Sequence, residues 1–309
     1  MNASQQNVKP LILIGTRLFQ SGANITKPWS IETANKQAQR IRDTLRIMDV
    51  VTFQTGISFR FAVVINAGNE QYPEVLGEKL DKEGLTPTTR FLQEVFNESV
   101  DVLIETEWLN NMGSPKALNR LWQHGMDKYN AFGFMSINLD MQITQEHLVA
   151  VTDQLVHGDV CSGVSRHRMR QDDKAYPMLD VPQNTGCGWS IQFLEAMSGF
   201  NEALTSGCNN QQVYIPSLGT SVTRAGMEDL ALIFAAVLLY GPSILTRVSV
   251  VGNEHPAKVQ TIFDDKAKQQ AFNIKIERQL AVMQSYCIEL GIDFENFMRA
   301  FYRYRKLFE

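Results

Sequence analysis

Apolar residues along this chain change period repeatedly, from short runs that suit a buried strand to spacings of three and four that suit one helix face. Residues 9–19 are an apolar run closed by a Gly-Thr pair, which predicts a short strand and turn. From about Ser30 to Met48 the spacing predicts a helix: Ala34, Ala38, Ile41 and Leu45 share a face, and Ser30 supplies an N-cap oxygen. Val50–Phe53 and Phe59–Ile65 read as strands, with Gly56 marking the turn between them. Helices are expected over 74–82 and 88–96, then a strand over 100–106. Pro115–Lys128 carries the clearest helix pattern, with Ser114 as cap and Pro115 at the first helical position, where a missing N–H costs nothing.

The alternation continues toward the C-terminus. Ala131–Leu139 reads as a buried strand, Gln145–Val156 as a helix and Val160–Arg168 as a strand. Residues 169–182 are charged and proline-marked, which predicts a loop. Helices over 189–204 and 226–240 flank the strand-like Val213-Tyr-Ile-Pro; Ile244–Val251 is a further strand, and 266–309 is helical by period. Strands alternating with helices predict an α/β fold, a mainly parallel, mixed central sheet with helices on both faces. No internal repeat or low-complexity segment interrupts it.

Composition narrows the function classes. The chain has 309 residues, 44% hydrophobic and 20% charged, as a globular protein with a full core has. A net charge of −4 gives no basic footprint, so no nucleic-acid partner is expected. The longest apolar run, Leu230–Tyr240, is far short of the roughly 18–20 residues of a membrane span and reads as a buried helix. The first residues lack a signal-peptide layout, and the four cysteines (Cys161, Cys187, Cys208, Cys287) form no CxxC pair. Reduced thiols and a cytoplasmic setting are the expectation, a Cys187–Cys208 disulfide the alternative.

Three stretches bear candidate chemistry. Phe61-Ala-Val-Val-Ile-Asn-Ala-Gly-Asn-Glu70 is an apolar strand ending in a polar turn; Asn111-Met-Gly-Ser-Pro-Lys-Ala-Leu-Asn119 is a glycine-marked helix start; Phe134-Met-Ser-Ile-Asn-Leu-Asp140 is a second strand ending in Asp. In an α/β domain, ligands sit beyond the carboxyl ends of the strands, where such turns gather. The first stretch resembles the opening strand and turn of family-2-like glycosyltransferases with the GT-A fold, usually Val-Val-Ile-Pro-Ala-Tyr-Asn-Glu, with Asn66 in the proline's place and Gly68 in the tyrosine's. The second resembles that family's Asn-x-Gly-x-x-x-Ala-x-Asn element, and Asn138-Leu-Asp140 occupies the place of its Asp-x-Asp.

The resemblance covers about residues 60–235 and implies a site. Asn66, Gly68, Asn69 and Glu70 would line the nucleoside pocket, with Gly113, Lys116, Asn119 and Asn138 along the diphosphate. Asp140 would hold Mg²⁺ or Mn²⁺, a hard cation that takes oxygen ligands, and His255 is a further candidate ligand. Asp229, with Glu228 second, sits in Gly226-Met-Glu-Asp-Leu-Ala-Leu232, which resembles the element that supplies the base to an acceptor hydroxyl. Each feature has a plainer use: polar residues at a strand mouth, a capped helix, an Asp closing a turn, two acids complementing a helix dipole, a solvated histidine. The family's acidic Asp-Asp-x-Ser strand end has no counterpart here; Glu105 or Glu107 stands nearest to it.

Residues 1–58 have no place in the family pattern, which suggests an N-terminal extension packed on a catalytic domain over 59–260, with a helical tail over 261–309. The implied activity is transfer of a hexose from a UDP- or GDP-linked donor to an acceptor hydroxyl on a glycan, lipid-linked or protein acceptor, metal-assisted and inverting. A non-catalytic relative that binds a nucleotide-sugar or a partner protein is the alternative, and a nucleotidyltransferase a third. Residues 169–182 would be the lid. His167 lies in a basic cluster, Ser165-Arg-His-Arg-Met-Arg170, that suits phosphate, an acceptor or plain solvent. The aromatic and basic tail from Phe297 to Phe308 suits either peripheral membrane contact or docking on the protein body.

Overall fold

The computed structural model describes residues 10–18, 31–66, 82–85, 87–105, 113–139, 143–157, 161–163, 186–200, 212–215, 220–223, 232, 245–247, 284, 287–288 and 291–296. In chain order the elements are β1 (Leu11–Leu18), α1 (Ile31–Thr55), β2 (Ser58–Asn66), α2 (Pro87–Phe96), β3 (Val100–Glu105), α3 (Gly113–Tyr129), β4 (Gly133–Ser136), α4 (Gln145–Val156), β5 (Cys161–Gly163), β6 (Cys187–Ser190), α5 (Ile191–Ala196), β7 (Gln212–Ile215), β8 (Thr220–Thr223) and β9 (Leu245–Arg247). Seven strands form one sheet in the order β3-β2-β1-β4-β6-β5-β9, and β7 pairs with β8 in a separate antiparallel ribbon. β1, β2, β3 and β4 run parallel; β6 opposes both β4 and β5, and β9 runs with β5. The mixed, mostly parallel α/β sheet is the one expected.

Helices cover both faces. A Cβ built on Gly133 or Gly188 would meet Leu155 of α4, whereas one on Gly15 would meet Leu121 of α3, so α4 and α3 lie on opposite sides. The α1/α4 side holds the main core, where Ile12, Ile14, Val63, Ile65, Met135 and Ile137 pack with Ala38, Ile41, Met48, Leu148 and Val151. Among the described residues, no helix is long and apolar enough to cross a membrane.

Two expectations need correction. Residues 50–53 are helical, not a strand: α1 continues through them because Thr44, Met48 and Val51 keep the buried face in helical step, while Phe53 turns out to solvent, 92% exposed. Gly56, at φ +71°, ends that helix, its N–H donating to the Thr52 carbonyl. Trp189 lies in β6, not in a helix, and the helix that follows spans only Ile191–Ala196, capped by the Ser190 hydroxyl. Residues 187–189 are all buried, and a strand covered on both faces shows no alternation to read.

Within residues 1–58 lie β1 and α1; β1 pairs with β2 on one side and β4 on the other, as an interior strand of the sheet. Among the described residues, the strand that ends at Asn66 is the second. Cys187 is a buried thiol. The helix expected over 74–82, the loop 169–182 and most of the tail lie outside the described residues.

Candidate functional site

The sheet order reverses at one place. β1 leads leftward to β2 and β3, and the chain then crosses to β4 on the other flank of β1. In such sheets the usual ligand position is a crevice beyond the carboxyl ends of the strands on either side of the reversal, here β1 and β4. Register locates the strand ends around it. Asn66 ends β2 directly beside Glu105, the last residue of β3. Gly15 of β1 pairs with Ser136 of β4, and the Ile137 N–H donates to the Gly15 carbonyl at 2.9 Å.

Two glycines fix α3 over the same crevice. A Cβ on Gly15 would come within 3.0 Å of Leu121, and one on Gly125 within 2.9 Å of Leu13. Four helix residues, about 6 Å, thus match two strand residues, about 6.6 Å, and the two elements run antiparallel. Continued by the same step, Ala117 comes level with Arg17, and Gly113 falls just past the end of β1. The start of α3, the positive end of its dipole, therefore lies just beyond the carboxyl end of β1. α3 begins at Gly113, two residues earlier than expected, so Pro115 sits inside the first turn, where its missing N–H is still harmless.

Lys116 is in that first turn, half-buried, and Asn138 stands two residues past β4, also half-buried. Asn119 is placed differently. It is buried, its amide nitrogen donating to the Phe200 carbonyl at 2.9 Å and its oxygen accepting from the Phe200 N–H at 2.8 Å and the Trp122 indole at 3.0 Å. It brackets the turn after α5, where Gly199 (φ +76°) packs against it. Asn66, Gly113, Lys116 and Asn138 are therefore brought to one edge of the sheet, while Asn119 braces the structure behind them. Gly68, Asn69, Glu70, Glu107, Asp140, His167, Glu228, Asp229 and His255 lie outside the described residues. Among the described residues, no three His, Cys, Asp or Glu side chains converge as a metal-holding group.

Two residues at this edge were missed by the sequence pattern. Arg17 was hidden because the Gly-Thr pair before it reads as a turn, yet β1 runs on to Leu18, and strand alternation puts Arg17 on the α3 face with Leu13 and Gly15. His147 is fully buried in α4, and its Nε2 lies 2.8 Å from the Gly186 carbonyl. Burial pushes its pKa down to about 4 against the opposing pull of that hydrogen bond, so the imidazole is neutral at neutral pH.

The opposite edge of the sheet carries a second polar cluster. The buried Asp101 carboxylate, at the start of β3, accepts from Arg60 Nη2 (2.9 Å), His124 Nε2 (2.8 Å), Lys128 Nζ (3.2 Å) and the Tyr129 hydroxyl (2.5 Å). Arg60 also donates to the Glu98 carbonyl and lies over the Tyr129 ring. Burial alone would raise the Asp101 carboxyl, but the hydrogen bonds from His124, Arg60 and Tyr129, with the Arg60 charge, hold it well below the usual carboxylate range. This cluster staples the starts of β2 and β3 to the end of α3, away from the crevice. No protein-family model matches the chain, and no curated protein matches it.

Proposed function

We propose that the protein is a GT-A-like glycosyltransferase that moves a hexose from a UDP- or GDP-linked sugar to an acceptor hydroxyl, its donor lying in the crevice between β1 and β4. The observation that carries this reading is the convergence of the α3 start with the ends of β1, β2 and β4 at the point where the strand order reverses. A helix start beside a switch point suits a diphosphate, because its N–H groups and dipole favour negative charge. In this reading Asn66, Gly68, Asn69 and Glu70 serve the nucleoside, Gly113 and Lys116 the diphosphate, and Asn119 positions α3 instead of touching the donor.

The donor set suits a hard divalent cation: the Asp140 carboxylate and the Asn138 amide oxygen, with His255 and diphosphate oxygens completing it. Mg²⁺ or Mn²⁺ there would stabilise the departing nucleotide diphosphate as a Lewis acid. Asp229, or Glu228, takes the proton from the acceptor hydroxyl as it attacks the anomeric carbon. A second reading, a relative that binds a nucleotide-sugar without turnover, draws on Asn138, whose neutral amide stands where a second carboxylate would.

Titration of the protein with UDP- and GDP-hexoses, with and without Mn²⁺, tests both. Metal-dependent binding with donor hydrolysis, lost in Asp140→Ala with the melting temperature unchanged, is the expected result. Metal-independent binding without turnover favours the second reading, and no rise in melting temperature with any donor refutes both.

A further inference from the structure

We propose that His147 is a positioning residue for the exit of β4, fixing the direction in which the chain leaves toward Asn138. The inference rests on the glycosyltransferase reading only for what that exit then holds. Its evidence is a relay of hydrogen bonds. The Thr144 hydroxyl caps α4 by accepting from the His147 backbone N–H at 3.2 Å. The His147 imidazole reaches the Gly186 carbonyl at 2.8 Å, and the Gly186 N–H donates to the Ser136 carbonyl at 2.7 Å.

Ser136 ends β4, and its peptide link to Ile137 is held from both sides. The Ser136 carbonyl is gripped by Gly186 from the β6 flank, and the Ile137 N–H is gripped by Gly15 from β1. The β1 grip is part of the sheet. The β6 grip hangs on Gly186, a residue at φ +80° just before the strand begins, and the imidazole is what ties that residue to α4. A carbonyl only accepts, so Nε2 bears the proton and the relay fixes the tautomer. Burial keeps the ring neutral, so no positive charge is set beneath the crevice.

The test has two arms. In the wild-type protein, long-range ¹H–¹⁵N spectra of the imidazole should show the proton on Nε2 with slow exchange; a proton on Nδ1 at pH 7 overturns the relay. In the variants, amide hydrogen exchange should rise about tenfold at Gly186 for His147→Leu, the factor carried by one buried hydrogen bond, while β1 and β2 amides stay unchanged. His147→Gln, which keeps a donor, should restore protection to within about threefold on the same scale. A uniform rise across the sheet, or no rise at Gly186, refutes the proposal. If wild type takes up a UDP- or GDP-hexose, His147→Leu should weaken it more than His147→Gln. If wild type binds neither, the glycosyltransferase reading fails while the exchange result still decides the relay.

Discussion

Acidification from pH 8 to pH 5 should destabilise this protein through one buried imidazole, and the size of the effect follows from the fold. His147 has no solvent exposure, and burial lowers its pKa from 6.5 to about 4. In the unfolded chain the ring titrates near its ordinary value, so between those two pKa values the unfolded state binds more protons than the folded one. Stability is then fully present above about pH 6.5 and falls as pH drops toward 4. At pH 5 the unfolded ring is almost wholly protonated and the folded ring about one-tenth so, which removes about 2 kcal/mol relative to pH 8; the full loss below pH 4 is about 3 kcal/mol. Urea denaturation at the two pH values reads it as a midpoint shift of roughly 0.7 M, for a slope of about 3 kcal/mol/M. Asp101 does not blur the reading, since its carboxyl, lowered from 3.8, stays ionised in both states above pH 5. His147→Leu should flatten the dependence by that amount whatever it does to stability at pH 8. If variant and wild type lose stability in parallel from pH 8 to pH 5, the imidazole is not buried and neutral as described.

Three further outcomes are expected from the same packing. Asp101→Ala should cost about 3 kcal/mol in urea denaturation at pH 7, because Arg60, His124, Lys128 and Tyr129 lose their common acceptor, with the exposed Lys128 adding little. Because the folded carboxyl is held low, that contribution is present at neutral pH and lost as pH falls below about 4, so the wild type and variant curves should converge in acid. Gly188→Ala would place a Cβ 2.5 Å from Val151 and 2.9 Å from Leu155; the expected loss is about 1–3 kcal/mol, partly recovered when Val151→Ala is added. Asn119→Ala, by freeing the Phe200 backbone groups and the Trp122 indole, should lower the melting temperature while leaving nucleotide-sugar affinity within about threefold for the molecules that remain folded, since one to two kilocalories of bracing is at stake.

Local pattern was enough for elements whose two faces differ. α4 was legible from end to end, because His147, Leu148, Val151, Thr152 and Leu155 mark one buried side against a charged one. The end of α1 was not, since Val50, Val51, Thr52 and Phe53 favour a strand and only tertiary burial of Val51 keeps them helical. β6 was lost for the opposite reason, having no polar face to alternate with. The site divides the same way. That a helix begins near Gly113 was legible because a helix start is a local event. The placing of Arg17 and His147 was not, because one depends on how α3 lies across β1 and the other on Gly186, thirty-nine residues away. The bracing contacts of Asn119 were illegible for the same want of information: their partner, Phe200, is eighty-one residues on.

The charged cluster at the edge where β2 and β3 begin is spent on packing, which makes the carboxyl-end edge, where the α3 start lies, the place to look for a ligand. At the edge where β2 and β3 begin, one buried carboxylate draws in an arginine, a lysine, a histidine and a tyrosine, and the α3 end that carries three of them is locked down. Cations near a helix's last turn also complement its negative end, so that edge is electrostatically closed on itself. At the other edge the signs reverse. There the positive end of α3, in whose first turn Lys116 lies, comes level with the end of β1. Parallel strands force this asymmetry, since every crossover helix returns with its start above the carboxyl ends. What the sequence adds is a residue set that joins the starts of β2 and β3 to the end of α3 through one carboxylate.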